Sequence, residues 1–226
     1  MRFVDLSVPF SESTPRPASF PPTTIDFYMT LERNGYSNES VSAPVHCGTH
    51  VDAPIHMVIG GASVERLPLD LFFRPGVVAH VGSLVNPGEP IEADHLRAAL
   101  GDVAAEIGGS ILGVHTGWLA GHFHDANFYG GGPFLGHSAI EMILETGVVG
   151  VAVDSEVDRI PGLPYPPPDD FPAHRQLLGA GVLIFENVAN MEALPARGFT
   201  FCAFPVPLVG GDGGATRAVA LFADDA

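Results

Sequence analysis

Glycine and proline interrupt this chain so often that no long regular element fits between them. There are 27 glycines and 21 prolines in 226 residues. Each proline fixes φ and removes a backbone donor, and each interior glycine costs a helix about 1 kcal/mol relative to alanine. The pair still falls short of the roughly 25–30% at which a low-complexity chain is expected. Apolar residues make up 46%, enough for a core that hides roughly 70–75% of the unfolded surface. The expectation is a single α/β domain over residues 1–226, rich in short strands and turns and poor in helices. Runs of Val, Ile and Phe bounded by Gly or Pro predict strands at 3–8, 77–85, 110–114, 148–153, 182–185, 199–205 and 217–222. Periodic apolar runs stopped by Gly101 and Gly147 predict helices at 92–100 and 138–146. Two Pro-rich stretches, an N-terminal arm at about 11–22 and residues 161–172, read as ordered loops because apolar segments resume after each.

Charge narrows the chemistry. All ten basic residues are Arg against 26 acidic ones, a formal net charge of −16. Such a chain repels phosphate polyanions, which excludes nucleic acid and anionic membrane surfaces as partners. Without a lysine there is no Schiff-base amine and no phosphate-loop lysine, which leaves His, Asp and Glu to do chemistry. The longest apolar run, 177–185, is broken by two glycines and is about half the length of a membrane span. With two cysteines and no leader-like start, the expected product is a soluble cytoplasmic protein without a disulfide framework.

The ten histidines are not evenly spread. The stretch His46-Cys47-Gly48-Thr49-His50-Val51-Asp52-Ala53-Pro54-Ile55-His56 packs three imidazoles and a carboxylate into eleven residues. Gly48 and Pro54 forbid one continuous helix, so a turn-rich segment is expected. In extended chain His50 and Asp52 point the same way. Asp52 followed by Pro54 reads as an N-cap and the start of a short helix that carries His56 and ends at Gly60-Gly61. Imidazole nitrogen plus carboxylate oxygen, without thiolate, suits Zn²⁺, Mn²⁺ or Fe²⁺ and not Ca²⁺.

These residues carry a resemblance. The segment matches the His-x-Gly-Thr-His-x-Asp-x-Pro-x-His signature of the cyclase family of metal-dependent hydrolases, which includes bacterial kynurenine formamidase and isatin hydrolase. Further segments look like the family's in the family's order: Asp5-Leu6-Ser7, Leu67-Pro68-Leu69-Asp70, Thr116-Gly117-Trp118, Val153-Asp154-Ser155, Glu186-Asn187 and Arg217-Ala218-Val219. The resemblance implies a swivelling β/β/α-type fold. It implies one or two divalent ions, Zn or Mn, held by His46, His50 and Asp52, with Asp52 bridging to a second position closed by His174 and Glu186. It also implies that His56 is the proton donor and acceptor in hydrolysis of a small amide, formamide or lactam by metal-activated water. The same apparatus suits a lyase, dehydratase or cyclase, or a silent metal-binding scaffold. The family assembles as dimers or tetramers, and the apolar, rigid N-terminal arm agrees with a homo-oligomer. One departure stands out: the kynurenine formamidases usually carry Trp-Pro-Gly after the Thr-Pro of the arm, whereas Thr14-Pro15 is followed here by Arg16-Pro17-Ala18, which points away from formylkynurenine.

The remaining candidates read as ordinary structure. His115, His122, His124 and His137 lack a carboxylate at useful spacing and read as surface or pocket wall. Cys47 and Cys202 read as small buried hydrophobes. Asp154, Glu156 and Asp158 read as a solvated acidic face, and the Gly210–Gly214 run, without lysine, is not a phosphate loop. Phe20, Phe27, Tyr28 and the aromatics of 123–134 are candidates for a pocket lining.

Overall fold

The computed structural model describes residues 1–159 and 171–223. Thirteen strands are described: β1 (Arg2–Asp5), β2 (Thr24–Met29), β3 (Asn38–Ser42), β4 (His50–Asp52), β5 (Phe73–His80), β6 (Pro90–Ile91), β7 (Ile111–His115), β8 (Phe134–Leu135), β9 (Gly150–Val153), β10 (Leu183–Glu186), β11 (Phe199–Cys202), β12 (Gly213–Ala215) and β13 (Val219–Phe222). The helices are short: α1 (Leu31–Asn34), α2 (Ala93–Leu100), α3 (Trp118–His122), α4 (Phe128–Gly131), α5 (His137–Thr146) and α6 (Pro172–Gly179). All seven expected strands and both expected helices overlap an observed one, within an α/β fold of few helices.

Nine strands form one sheet in the order β1-β13-β11-β5-β7-β9-β10-β4-β12. Its middle, β5-β7-β9-β10, is parallel, and both flanks are antiparallel. Parallel neighbours need a crossover, and α2, α5 and α6 each lie in sequence between two of these four strands. Because side chains alternate across a strand, Val77, Ala79, Leu112, Val114, Val151, Val153 and Ile184 face the helices and pack on Leu96, Ile140, Ile143 and Leu177. Val78, Ile111, Ala152, Leu183 and Phe185 face the other way, onto Leu6, Phe72, Met191 and Phe201. Removing a side chain such as that of fully buried Ile140 leaves a cavity costing roughly 2–5 kcal/mol.

Helix α6 was not expected from the sequence. Pro172 occupies its first turn, where a missing N–H costs nothing. The Asp158 carboxylate accepts from the backbone N–H groups of Ala173 (2.8 Å) and His174 (3.0 Å), satisfying donors that a helix start leaves open. The apolar run 177–185 is therefore two elements, the last turn of α6 and then β10, joined through Gly181 in a left-handed conformation (φ 79°). The expected loop at 161–172 lies outside the described residues as far as 170. The β2–β3 hairpin, also unexpected, pairs with no other strand among the described residues, and every residue of β3 is exposed. The N-terminal arm, by contrast, packs onto its own chain: Thr14 is buried, and Cys47 Sγ lies 3.8 Å from Pro15 O.

Two local expectations are corrected. Asp52 does not cap the following turn. It is the last residue of β4, and the cap position of the 3-10 turn Pro54–His56 is Ala53, with no side-chain bond. Strand pairing on both sides of β4 holds Asp52 extended and leaves its carboxylate free for other work. Cys202 is half-buried, because it alternates with the inward Phe199 and Phe201 on β11; Cys47 is buried as expected.

Candidate functional site

The site gathers at the carboxyl ends of the parallel strands, where ligands of open α/β sheets bind. Before β4 the chain turns through Gly48 (φ 68°), and Gly48 O accepts from both His50 Nδ1 (2.8 Å) and Asn187 Nδ2 (3.0 Å). Thr49 Oγ1 donates to Asn187 O (2.7 Å) and accepts from Val8 N (2.9 Å). These bonds fix β4 against the end of β10 and commit the His50 Nδ1 proton to a carbonyl. His50 Nε2 then faces Asp52 Oδ1 at 3.2 Å and Glu186 Oε2 at 3.4 Å.

The other expected residues come to the same place. His46 Nδ1 is 2.7 Å from Asp52 Oδ1. His174, in the first turn of α6, donates Nδ1–H to Asp158 Oδ2 at 2.7 Å, and its Nε2 lies 3.4 Å from Asp52 Oδ2 and 3.6 Å from Glu186 Oε1. His56 lies 4.0 Å from His46, ring centroid to ring centroid, and 5.8 Å from His174. Among the described residues, two sets of donor atoms are close enough to hold an ion, His46-Asp52-His56 and His50-Asp52-Glu186, each within 4.8 Å of one another. Asp52 belongs to both, and His174 stands beside the second.

The donor atoms suit a cation. Among the described residues, His46 Nε2, His50 Nε2 and Asp52 Oδ2 are buried without a hydrogen-bond partner, a costly arrangement for polar groups unless something else satisfies them. Nitrogen and carboxylate oxygen without thiolate fits Zn²⁺ or Mn²⁺. The electrostatics agree. Burial opposes charge on His46, yet Asp52 and Asp212 raise its pKa to about 10. Burial likewise opposes charge on His174, and Asp158, Asp52 and Glu186 raise it to about 10. Burial and the neighbouring Asp52 push Glu186 up, while the imidazoles hold Asp52 down against its burial. His56 goes the other way: burial lowers it, and His46 and His174 add to that against the pull of Asp52. It is the histidine of the cluster disposed to be neutral.

The acidic run after β9 is not a solvated face. Asp154, Glu156 and Asp158 are all buried because each satisfies backbone N–H groups of a turn. Asp154 accepts from Thr116 N (2.8 Å) and Gly117 N (2.7 Å), Glu156 from Gly130 N and Gly132 N, and Asp158 from the start of α6. Asp158 is one of two site residues that sequence reasoning missed. The other is Asp212, whose Oδ2 is 3.1 Å from His46 Nε2 and 3.2 Å from His56 Nδ1. Only the glycines around it drew attention in the sequence, as a phosphate loop to reject; the signal was the carboxylate among them. Of the aromatics in 123–134, Tyr129 reaches the site, its hydroxyl 3.4 Å from Asn187 Nδ2. Burial and then Glu186 raise its phenol well above the usual range. Phe27 and Tyr28 are exposed on the hairpin instead.

Comparison with known proteins places this geometry. Residues 4–158 match the model of the Cyclase family. The kynurenine formamidase of Salinibacter ruber is 29% identical over 187 residues, covering 82% of this chain and 80% of the relative. That of Bacillus cereus is 25% identical over 219 residues, covering 96% of each. Isatin hydrolase A from Ralstonia solanacearum superposes with a TM-score of 0.85 at 27% identity, over 98% of this chain and 92% of that one. A match over well more than half of its length shows that the chain belongs to the Cyclase family.

Proposed function

We propose that this protein is a metal-dependent hydrolase that opens a C–N bond in a small amide, formamide or lactam. One observation carries the reading: buried Asp52 is common to two sets of donor atoms, one of which includes His56. His46, His50, Asp52, His174 and Glu186 would hold one or two divalent ions, Zn or Mn. Such an ion supplies Lewis acidity towards a carbonyl and makes water acidic near neutral pH. His56, less buried than His50 and kept neutral by its surroundings, accepts the proton of the attacking water and returns it to the departing nitrogen, a role that typically contributes roughly 10²–10⁴ in rate. Asp158 holds the His174 ring by Nδ1 and so presents Nε2 to the cluster. Tyr129 keeps its phenolic proton, and its hydroxyl accepts from Asn187 Nδ2 next to Glu186 in the chain. The formamidase and isatin hydrolase names of the relatives favour an amide over other carbonyl substrates. Arg16-Pro17-Ala18 follows Thr14-Pro15 in the arm, where the kynurenine formamidases usually carry Trp-Pro-Gly, and this favours a substrate other than formylkynurenine.

The test is metal analysis of the purified protein, followed by turnover of formamides, isatins, cyclic imides and lactones with detection of the released carboxylate. Stoichiometric Zn or Mn with hydrolysis of one amide class is the expected result. Failure to bind either metal refutes the reading.

The protein works as a homo-oligomer, a dimer or tetramer. The β2–β3 hairpin supports this, since Phe27, Tyr28, Leu31, Tyr36 and Val41 are all more than half exposed on it and an isolated two-stranded hairpin is marginal in water. A monomeric mass by light scattering at micromolar concentration counts against it. Two unpaired cysteines, Cys47 and Cys202, agree with a cytoplasmic location.

A further inference from the structure

The carboxylate of Asp212 lies between two imidazoles, and what it does to them differs. Its Oδ2 is 3.2 Å from His56 Nδ1 in hydrogen-bond geometry and 3.1 Å from His46 Nε2 without it, since His46 Nε2 has no hydrogen-bond partner among the described residues. We propose that Asp212 is the positioning residue of the proton carrier: it accepts the Nδ1 proton of His56, fixes that ring's tautomer and orientation, and leaves Nε2 as the nitrogen that exchanges protons with the reactants. The inference rests on His56 being the proton carrier.

The fold holds this carboxylate in place through its own backbone. Ala53, the residue after the ligand strand β4, donates its N–H to Asp212 O at 2.9 Å, and Val64 N donates to Gly211 O at 2.9 Å. The next residue, Gly213, pairs with Asp52 across β4 and β12. A Cβ on Gly213 would stand 2.6 Å from Val51 O and 3.1 Å from His46 Cε1, so only glycine lets this loop come so close. The Pro54–His56 turn and the Asp212 loop are thus tied to one strand from its two sides. Side-chain and main-chain contacts agree on one purpose, to keep the carboxylate against His56. An imidazole aimed by a carboxylate on its far nitrogen is a recurrent device in proton transfer, because an unheld ring populates both tautomers and several orientations.

The experiment uses the full-length protein with ¹⁵N-labelled histidine, with and without Zn²⁺, assigned by loss of one ring signal in His56→Gln. In the wild type, His56 shows the shifts of an Nδ1-protonated ring. Asp212→Ala, which keeps every backbone contact of the loop, is expected to lose that preference. Its kcat falls roughly 10–100-fold, with KM changed less than threefold and zinc content unchanged. Asp212→Asn gives the same tautomer readout in an isosteric side chain should the alanine variant fold poorly, and Asp212→Glu restores the Nδ1-protonated form and part of kcat. An unchanged His56 tautomer in Asp212→Ala overturns the proposal. A loss of bound zinc in Asp212→Asn overturns it too, and makes Asp212 a ligand. The ring signals need no substrate, so they decide the role of Asp212 even if the amide screen yields none.

Discussion

Two groups of histidines sit along the same edge of the central sheet, and they spend their ring nitrogens differently. His80 and His115 end the neighbouring strands β5 and β7, opposite one another in register. Their Nδ1 atoms are 2.9 Å apart, and His80 Nε2 donates to Leu194 O at 3.1 Å. That pair is nearly closed: one shared proton and one carbonyl account for three of its four nitrogens. Three strands along, at β4, His46, His50 and His174 turn nitrogens towards Asp52 and Glu186, and His46 Nε2 and His50 Nε2 remain without a hydrogen bond among the described residues. Unsatisfied nitrogens, more than the number of histidines, separate a site that could hold an ion from one whose nitrogens are already partnered.

Asp52→Asn should have the largest effect, because both sets of donor atoms lose their common member. Bound metal by elemental analysis should fall below a tenth of the wild-type content, and turnover should drop by roughly 10³ or more, in line with the loss of a main catalytic group. Full metal with full activity in that variant would erase the distinction between the two histidine groups. Next comes His56→Ala, which should keep most of its metal and lower kcat by roughly 10²–10⁴ with a smaller change in KM. If it loses metal instead, His56 belongs with the ligands.

A third test uses pH on the metal-free protein. His174 is raised from 6.5 to about 10, so its proton stabilises the fold fully below the unfolded value. That stabilisation is lost as pH climbs from about 6.5 through 10, at no more than about 1.4 kcal/mol per pH unit. Asp158→Asn removes the strongest of the contacts that raise it. Urea midpoints of the chelated protein at pH 6 and pH 9 should therefore differ less in Asp158→Asn than in the wild type, and equal slopes would show that Asp158 does not hold the ring. The smallest effect is expected from His115→Asn. Bound metal should be unchanged and turnover within about twofold, with a loss of stability near 1 kcal/mol for one hydrogen bond. A loss of metal there would join the two groups into one site.

Much of the site could be read from the sequence because His46, His50, Asp52 and His56 are neighbours in the chain, and a period of two already puts His50 and Asp52 on one face. The strands were legible for a similar reason, since β5, β7, β9 and β10 are buried on both faces and read as continuous Val, Ile and Leu runs. Asp158 and Asp212 were not legible, because nothing local says that a carboxylate in an acidic run or a glycine loop will meet a histidine 16 or 156 positions away. Burial of Asp154, Glu156 and Asp158 follows from the backbone donors they satisfy, which composition does not report. The β2–β3 hairpin escaped because its strands are mostly exposed and carry no alternation that packing would impose.

The residues proposed as ligands are drawn from positions 46 to 52 near one end of the chain and from 174 and 186 towards the other. During synthesis at roughly 5–20 residues per second, the early segment emerges on the order of ten seconds before Glu186 follows it. For that interval His46, His50 and Asp52 stand with neither Glu186 nor the α6 histidine to complete the proposed set. An ion held by the complete set would join two widely separated segments, so its stabilisation would fall on the finished fold and not on the emerging chain.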